Sequence, residues 1–299
     1  MAADSEALKR RRSLPAGGVV APLVMADGWV LRTARWEGRR GSILFITGRG
    51  DFFEKYCESL HDWTEAGWGV ATFDWRGQGG SGRLGRTPGH GHLDDFEPLR
   101  ADLAVVFEWF HKVMPGPHFA VAHSMGGHLL LRHLAEQPQA VARAVLLAPM
   151  IGISAAPLGP GAAGRLARLM VRLGRGGEWV MGAGPYGQGA DKRQPLLTSD
   201  AARYADEKWW VAQHPELAIG GITWGWLAAA LRSIAVLRPV QTPLLVLMAE
   251  TEALVDNAAT RRLFADAQIV AGAAHELLRE RHVVRQRVMK MIKGFLSTP

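Results

Sequence analysis

Short, continuous apolar segments recur along the chain and alternate with segments in which apolar residues follow helical spacing. Continuous apolar segments are typical of strands that are covered on both faces, as in a parallel sheet with helices above and below it. The alternation therefore predicts an open α/β fold. The predicted strands are 42–46, 69–73, 119–122, 144–148, 244–248 and 267–270, with an earlier antiparallel strand at 29–36. The predicted helices are 54–66, 99–113, 127–136 and 283–296.

The alternation breaks between residues 151 and 237. This stretch has an arginine-spaced helical pattern and contains several tryptophans, so it predicts a mainly helical cap inserted between a core of residues 19–150 and 238–299. Binding pockets are usually lined by apolar and aromatic side chains. We therefore expect Trp209, Trp224 and Trp226 to contribute an apolar wall for a substrate, with helix packing as the alternative for some of them.

The first 18 residues are polar, carry a basic run that ends at Arg12, and lack the apolar core of a signal peptide. They predict a disordered basic tail. The whole chain of 299 residues has a formal net charge of +7. A basic protein can contact anionic lipid transiently, but no nucleic-acid-binding pattern is present. Its single cysteine, Cys57, lies at helical spacing among apolar residues and is predicted to be buried.

One serine has the setting of a catalytic nucleophile. Ser124 follows the predicted strand 119–122 and precedes the predicted helix 127–136, with Ala122 and Gly126 two positions to either side. A sharp turn between a strand and a helix exposes such a serine, and large flanking side chains would collide with neighbouring backbone. The pattern predicts a nucleophile elbow, with Ala122 in place of the more usual glycine.

A serine hydroxyl needs a base within hydrogen-bond reach, and that base needs an acid to orient it. In hydrolases with this elbow the acid follows a late strand and the histidine comes last along the chain. After strand 244–248 the candidate acids are Glu252 and Asp256. We favour Glu252, because Asp256 stands where it would cap a helix. His275, in the loop after strand 267–270, is the candidate base.

Hydrolysis of an ester also needs two backbone N–H groups that stabilise the oxyanion of the tetrahedral intermediate. Met125, the residue after the nucleophile, is expected to supply one of them from the start of its helix. The second is expected from Arg49, in the loop 47–51 that follows an early strand. The side chain of Arg49 is a separate question, since it could also meet an anionic head group.

These motifs together resemble the α/β-hydrolases of the lysophospholipase and monoacylglycerol lipase group, which are also classed with serine aminopeptidase-like hydrolases. The resemblance covers about residues 25–297. It departs from the family pattern at Thr47-Gly48, where His-Gly is usual, at Ala122, and at Glu252, where lipase-type relatives have aspartate. The segments that carry it are 47–50 with 54–56, 74–81, 122–127, 249–257 and 272–276.

The resemblance implies an α/β-hydrolase fold with a helical cap and a serine hydrolase that cleaves lipid-like small-molecule esters. It implies Ser124 as nucleophile, Glu252 as acid and His275 as base, with neither metal nor cofactor. Lysophospholipids and monoacylglycerols are the expected substrates. The alternatives are a general carboxylesterase or peptidase acting on small molecules, and a non-catalytic scaffold of the same fold. A cytoplasmic protein, peripheral to the inner membrane at most, is expected.

Overall fold

A sheet of eight strands runs through the part of the chain that the computed structural model describes, which is residues 2–85, 89–154, 158–188 and 190–298. The strands are β1 Val19–Val24, β2 Val30–Trp36, β3 Ser42–Ile46, β4 Gly69–Phe73, β5 His118–His123, β6 Arg143–Leu147, β7 Leu244–Ala249 and β8 Gln268–Val270. Their order across the sheet is β1-β2-β4-β3-β5-β6-β7-β8. The β1–β2 and β2–β4 pairs are antiparallel and the remaining pairs are parallel. The predicted α/β fold is confirmed.

Helices cover both faces of the sheet. The described helices are α1 Ala2–Arg11, α2 Cys57–Glu65, α3 Glu97–Val113, α4 Met125–Glu136, α5 Gly159–Arg172, α6 Ala190–Leu197, α7 Ala201–Gln213, α8 Trp224–Ile234, α9 Asn257–Leu263 and α10 His282–Leu296. Strand β3 shows the arrangement, because alternate side chains enter different cores. Leu44 packs on one face with Leu103 of α3 and Leu129 of α4. Phe45 packs on the other face with Leu60 of α2. None of the described helices is long and apolar enough to cross a lipid bilayer.

The alternating edge strand β1 was not predicted. Its burial alternates between exposed and half-buried positions, unlike the fully buried β3 and β4. It also contains Pro22, which has no backbone N–H to donate and is tolerated at a sheet edge. The apolar run 19–24 is interrupted by Pro22, and a proline within a run argues against an inner strand.

Four helices, α5 to α8, lie between β6 and β7 in the segment predicted as a helical cap. Helices α5 and α8 pack through an apolar cluster that includes Ala167 and Leu227. Parallel neighbours β6 and β7 are paired directly, so the inserted helices do not interrupt the sheet. The cap therefore emerges where β6 ends, at the same edge of the sheet as the elbow after β5.

The predicted disordered tail is wrong for the described residues. Residues Ala2–Arg11 form helix α1, and its basic end is paired with acidic side chains. Arg10 Nη2 lies 2.8 Å from Asp62 of α2. Arg11 and Arg12 place their Nε atoms 2.5 and 2.7 Å from the two carboxylate oxygens of Asp206 on α7. The basic residues, whose sequence predicted exposure to solvent, form ion pairs with acidic residues that are distant in sequence.

We predict that Asp206→Asn weakens the attachment of the N-terminal segment. The substitution removes the charge that pairs with both Arg11 and Arg12 at a buried carboxylate, so the free energy of unfolding falls by about 1–3 kcal/mol. Urea unfolding measures the change. Glu37→Gln is the matched control, because Glu37 is 85% exposed and its pair with Arg35 is long, at 3.6 Å. Its expected effect is below about 0.5 kcal/mol; equal effects of the two variants would contradict the prediction.

Candidate active site

The turn between β5 and α4 places Ser124 in a strained backbone conformation. Its φ and ψ angles are 51° and −116°, a region that residues other than glycine rarely adopt. Its N–H donates to the carbonyl of Leu147 on β6, at 2.9 Å. A Cβ atom on Gly126 would lie only 2.4 Å from the carbonyl oxygen of Thr47. Close approach of the backbone therefore explains the glycine, while the methyl of Ala122 is accommodated in the core.

Three side chains from three separate loops form a hydrogen-bonded chain at this turn. His275 Nε2 lies 3.0 Å from Ser124 Oγ. His275 Nδ1 lies 2.8 Å from Glu252 Oε2. With the proton on Nδ1, the ring donates to the carboxylate and its Nε2 accepts the serine hydroxyl proton. The geometry is that of a nucleophile, a base and an orienting acid.

Glu252 is held as a carboxylate by its surroundings. Burial alone would raise its pKa, but the hydrogen bond and charge interaction with His275 outweigh burial and lower the pKa. Its other oxygen accepts the backbone N–H groups of Leu254 and Val255, at 2.8 and 3.2 Å. Asp256 instead accepts two backbone N–H groups at the start of α9, which is a helix-capping role. The structure therefore brings Glu252, and not Asp256, to the histidine.

The loop after β3 lies against the nucleophile. A Cβ atom on Gly48 would be 3.1 Å from the Cβ of Ser124, so the loop backbone passes directly beside the elbow. The Gly48 N–H donates to Asp51 Oδ2 at 2.8 Å, and Trp75 Nε1 donates to the carbonyl of Thr47 at 2.8 Å. On the other side Met125 begins α4, where backbone N–H groups have no intrahelical acceptor. Arg49 follows Gly48 in this loop and lines the same cavity as Ser124, and Met125 directly follows Ser124.

A cavity of about 340 Å³ contains Ser124 and His275 and is lined largely by apolar side chains. Trp226 is in its wall, as expected, together with Met150 and Leu254. The expectation is wrong for Trp209 and Trp224, neither of which lines this cavity. Trp209 packs edge-on against a neighbouring indole, 5.0 Å between ring centroids, and lies under the guanidinium of the N-terminal Arg12. Trp224, the first residue of α8, is buried against α5. Helix packing therefore accounts for both.

Sequence reasoning missed a buried cluster of charges behind the cavity. Lys55 Nζ lies 2.6 Å from Asp51, 3.0 Å from Glu207 on the cap and 2.9 Å from Glu276, and Glu276 also pairs with Arg279. Burial would lower the pKa of Lys55, but the three carboxylates outweigh it and raise that pKa. The i,i+4 spacing of Asp51 and Lys55 and the i,i+3 spacing of Glu276 and Arg279 were the local signals, and they cannot reveal partners that are distant in sequence.

This cluster is also connected to His275 through a second histidine, His123. Asp51 Oδ2 accepts from the Tyr56 hydroxyl at 2.8 Å and lies 3.1 Å from His123 Nδ1. The other ring nitrogen of His123 is 3.2 Å from the backbone oxygen of His275. Asp51, which accepts the Gly48 N–H, is therefore connected through His123 to the backbone of His275. Within the described ranges, no group of three or more His, Cys, Asp or Glu residues is placed to hold a metal ion.

Known proteins share this sequence pattern and this fold. The chain is 31% identical over 271 residues to the probable lysophospholipase L2 of Haemophilus influenzae. The aligned region covers 86% of this chain and 84% of that protein. It is 29% identical over 279 residues to lysophospholipase L2 of Escherichia coli K12, covering 85% of this chain and 80% of that protein. The predicted resemblance to the lysophospholipase and monoacylglycerol lipase group is confirmed.

Solved structures agree on the fold. A soluble variant of monoglyceride lipase from Saccharomyces cerevisiae superposes with a TM-score of 0.72 at 18% identity, over 94% of this chain and 96% of that one. The monoacylglycerol lipase of Paleococcus ferrophilus gives 0.66 at 20% identity, over 89% and 98%. These similarities confirm the α/β-hydrolase fold. The family model described as serine aminopeptidase, S33, matches residues 37–282, and the chain therefore belongs to that family of hydrolases.

Proposed function

We propose that this chain is a serine hydrolase that cleaves carboxylic esters of single-chain lipids, such as lysophospholipids or monoacylglycerols, through an acyl-enzyme. The observation that carries the proposal is the placement of His275 between Ser124, at 3.0 Å, and Glu252, at 2.8 Å. A non-catalytic scaffold has no need for this alignment. The names of the relatives, lysophospholipase and monoglyceride lipase, support a lipid ester as the substrate.

In the proposed reaction Ser124 Oγ attacks the ester carbonyl carbon while His275 Nε2 takes its proton. The negative charge that develops on the carbonyl oxygen is stabilised by the backbone N–H groups of Met125 and Arg49. The intermediate then expels the alcohol, which receives the proton from His275, and an acyl-serine remains. Water then attacks the acyl-serine and gives a proton to His275. The bond to Ser124 Oγ breaks, the serine oxygen takes that proton from His275, and the fatty acid is released. Glu252 stabilises the protonated ring in both steps.

The electrostatics of Glu252 suit this role over a wide pH range. Its pKa is lowered in the folded protein, so the carboxylate stays ionised as the pH falls below neutrality. The stabilisation that it contributes is fully present above the unfolded pKa, about 4.3, and is lost as the pH falls through the lower folded value. Loss of activity on mild acidification is therefore not expected to come from protonation of Glu252.

Contact with an anionic membrane surface stays a prediction, as does a cytoplasmic location. Three basic side chains near the N-terminus, Arg10, Arg11 and Arg12, are engaged by acidic residues of the fold. The N-terminal segment is thus a weaker source of membrane attraction than its sequence suggested. The net charge of +7 supports only a long-range attraction to an anionic membrane surface.

We predict that Ser124→Ala lowers kcat/KM for p-nitrophenyl esters by about 10⁴-fold or more, because the nucleophile is removed. Covalent labelling by a fluorophosphonate should disappear in the same variant. Ser154→Ala is the matched control, since Ser154 lines the same cavity and its hydroxyl donates to the backbone oxygen of Val255. A loss below about tenfold is expected for the control. Equal activity of wild type and Ser124→Ala would refute the proposed mechanism.

We predict that Glu252→Gln lowers kcat/KM by about 10³- to 10⁴-fold, because the amide cannot stabilise the charged histidine and permits the wrong tautomer. Steady-state kinetics of the purified variants measure the effect. The control is Asp256→Asn, which keeps a good helix cap for α9 and should change kcat/KM by only a few-fold. The opposite ranking of the two variants would make Asp256 the acid.

We predict that kcat/KM rises with acyl-chain length across a series of p-nitrophenyl esters until the apolar cavity is filled. Each buried CH2 contributes about 0.8 kcal/mol, or roughly fourfold. Trp226→Ala should reduce this dependence, because Trp226 is in the cavity wall, whereas Trp209→Ala should preserve it. A maximum at the acetate ester would instead indicate a small-molecule carboxylesterase.

A further inference from the structure

The side chain of Arg49 enters the catalytic cavity without a counter-charge. Its Nη2 donates to the carbonyl of Gly220 at 2.7 Å, and the guanidinium lies 5.4 Å from the ring centre of Trp226. Its Nε is buried and has no hydrogen-bond acceptor. Within the described ranges, no carboxylate lies at ion-pair distance from Arg49, whereas the buried cations Lys55, Arg279 and Arg285 each have one.

A second cavity of about 400 Å³ adjoins the catalytic one, and both are lined by Arg49, Arg193 and Leu196. Its wall also contains Lys192 and Lys208, and both of these lysines are exposed. Four cationic side chains therefore line this cavity, and none of its described lining residues is an aspartate or glutamate. The catalytic cavity is lined by Asp51 and Glu276 as well as by two arginines, whereas the charged residues that line the second cavity are all cationic, so the two spaces differ in charge.

The excess of positive charge is not cancelled by the cluster behind the site. Arg193 pairs with Glu207 at 2.5 Å, within the buried cluster described above. In that cluster the cations Lys55, Arg193 and Arg279 are matched by equal numbers of carboxylates. These are Asp51, Glu207 and Glu276. Arg49 is additional to this balanced set, so the junction of the two cavities carries an unmatched positive charge.

We propose that Arg49, supported by Arg193, forms a phosphate-binding subsite that holds the head-group phosphate of a single-chain lipid while its ester lies at Ser124. This assignment rests on the proposed ester hydrolysis and adds a selectivity to it. Single-chain lipids with a phosphate are preferred over neutral monoacylglycerols. The acyl chain occupies the apolar cavity, and the polar head group extends into the basic one.

The chemistry of the guanidinium suits a phosphate. Arginine presents several N–H donors in a planar fork that matches phosphate oxygens, and such charge-assisted hydrogen bonds are stronger than neutral ones. Burial lowers the pKa of Arg49 to about 9, with the nearby charge of Arg193 as a smaller cause. The side chain is still protonated at neutral pH, so the protein holds a poorly solvated cation that a bound anion would stabilise.

The selectivity for phosphate provides the first test. Hydrolysis of lysophosphatidylglycerol and of monoacylglycerol with the same acyl chain is measured for wild type and Arg49→Gln. The ratio of the two kcat/KM values should favour the phospholipid in wild type and fall about tenfold or more in the variant. A disturbed oxyanion loop would lower both activities together, so the ratio reports the side chain alone. Arg49→Lys, which keeps the charge but loses the fork, should give an intermediate ratio.

The matched control separates a local contact from a general effect of charge. Arg172→Gln removes the same charge from an exposed position on α5 that lines neither cavity. Its ratio should equal that of wild type. An unchanged ratio in Arg49→Gln, or an equal fall in both variants, would overturn the subsite. Ester hydrolysis that persists with an unchanged ratio would leave the proposed function intact, whereas no Ser124-dependent hydrolysis of any ester would contradict that function.

Binding without turnover gives the second test, and it applies even if neither lipid is hydrolysed. Ser124→Ala is titrated by calorimetry with 1-O-octylglycerol 3-phosphate, an ether that cannot be cleaved, with 1-O-octylglycerol, and with inorganic phosphate. The ether phosphate should bind about tenfold or more tightly than either other probe, and adding Arg49→Gln should remove that advantage. Equal binding of the two ethers would overturn the proposal. Inorganic phosphate that binds as tightly as the ether phosphate would overturn it too, by showing a general anion site.

Discussion

The sharp turn at Ser124 is the constraint on which the rest of the site depends. A central parallel strand, β5, and the helix α4 must meet with almost no intervening chain, and the serine takes the unfavourable dihedral angles that this requires. Hydrogen bonds to β6 and the close approach of Gly126 to Thr47 hold the turn in place. Because β5 and β6 are almost entirely buried, the turn is held in one place, and the other groups of the site are arranged around its hydroxyl.

Those other groups are positioned by buried charge. Lys55 connects the loop 47–51, through Asp51, to the loop that carries His275, through Glu276, and to helix α7, through Glu207. Each of these ions would be costly to bury alone, but together they satisfy one another. The site therefore has two differently charged regions. In the cluster behind the cavity the cations and carboxylates are equal in number, whereas Arg49, at the junction of the two cavities, has no carboxylate partner in the part of the chain that the structure describes.

Local pattern predicted the parts of the fold that depend on local chemistry. The inner strands β3 and β4 follow from continuous apolar sequence because both of their faces are covered. Ser124, Glu252 and His275 follow from their places after strands, since a parallel sheet brings the carboxyl ends of its strands to one edge. Prediction failed where the environment came from distant sequence. The sequence predicts that Arg11 and Arg12 are solvated, but the fold places Asp206 beside them. It predicts that Trp209 lines a pocket, but the fold packs Trp209 against the N-terminal segment.

The sequence by itself therefore determined the class of fold, the order of its inner strands along the chain and the three residues of the candidate triad. Each of these depends on periodicity or on position relative to a strand, and both can be recognised within a short stretch of chain. Only the tertiary structure decided which tryptophan lines the cavity, which charges cancel and which one does not. A side chain's burial and its counter-charges depend on segments far away in sequence. The hydrogen bond between His275 and Ser124 joins residues 151 positions apart, and the pair between Lys55 and Glu276 joins residues 221 positions apart.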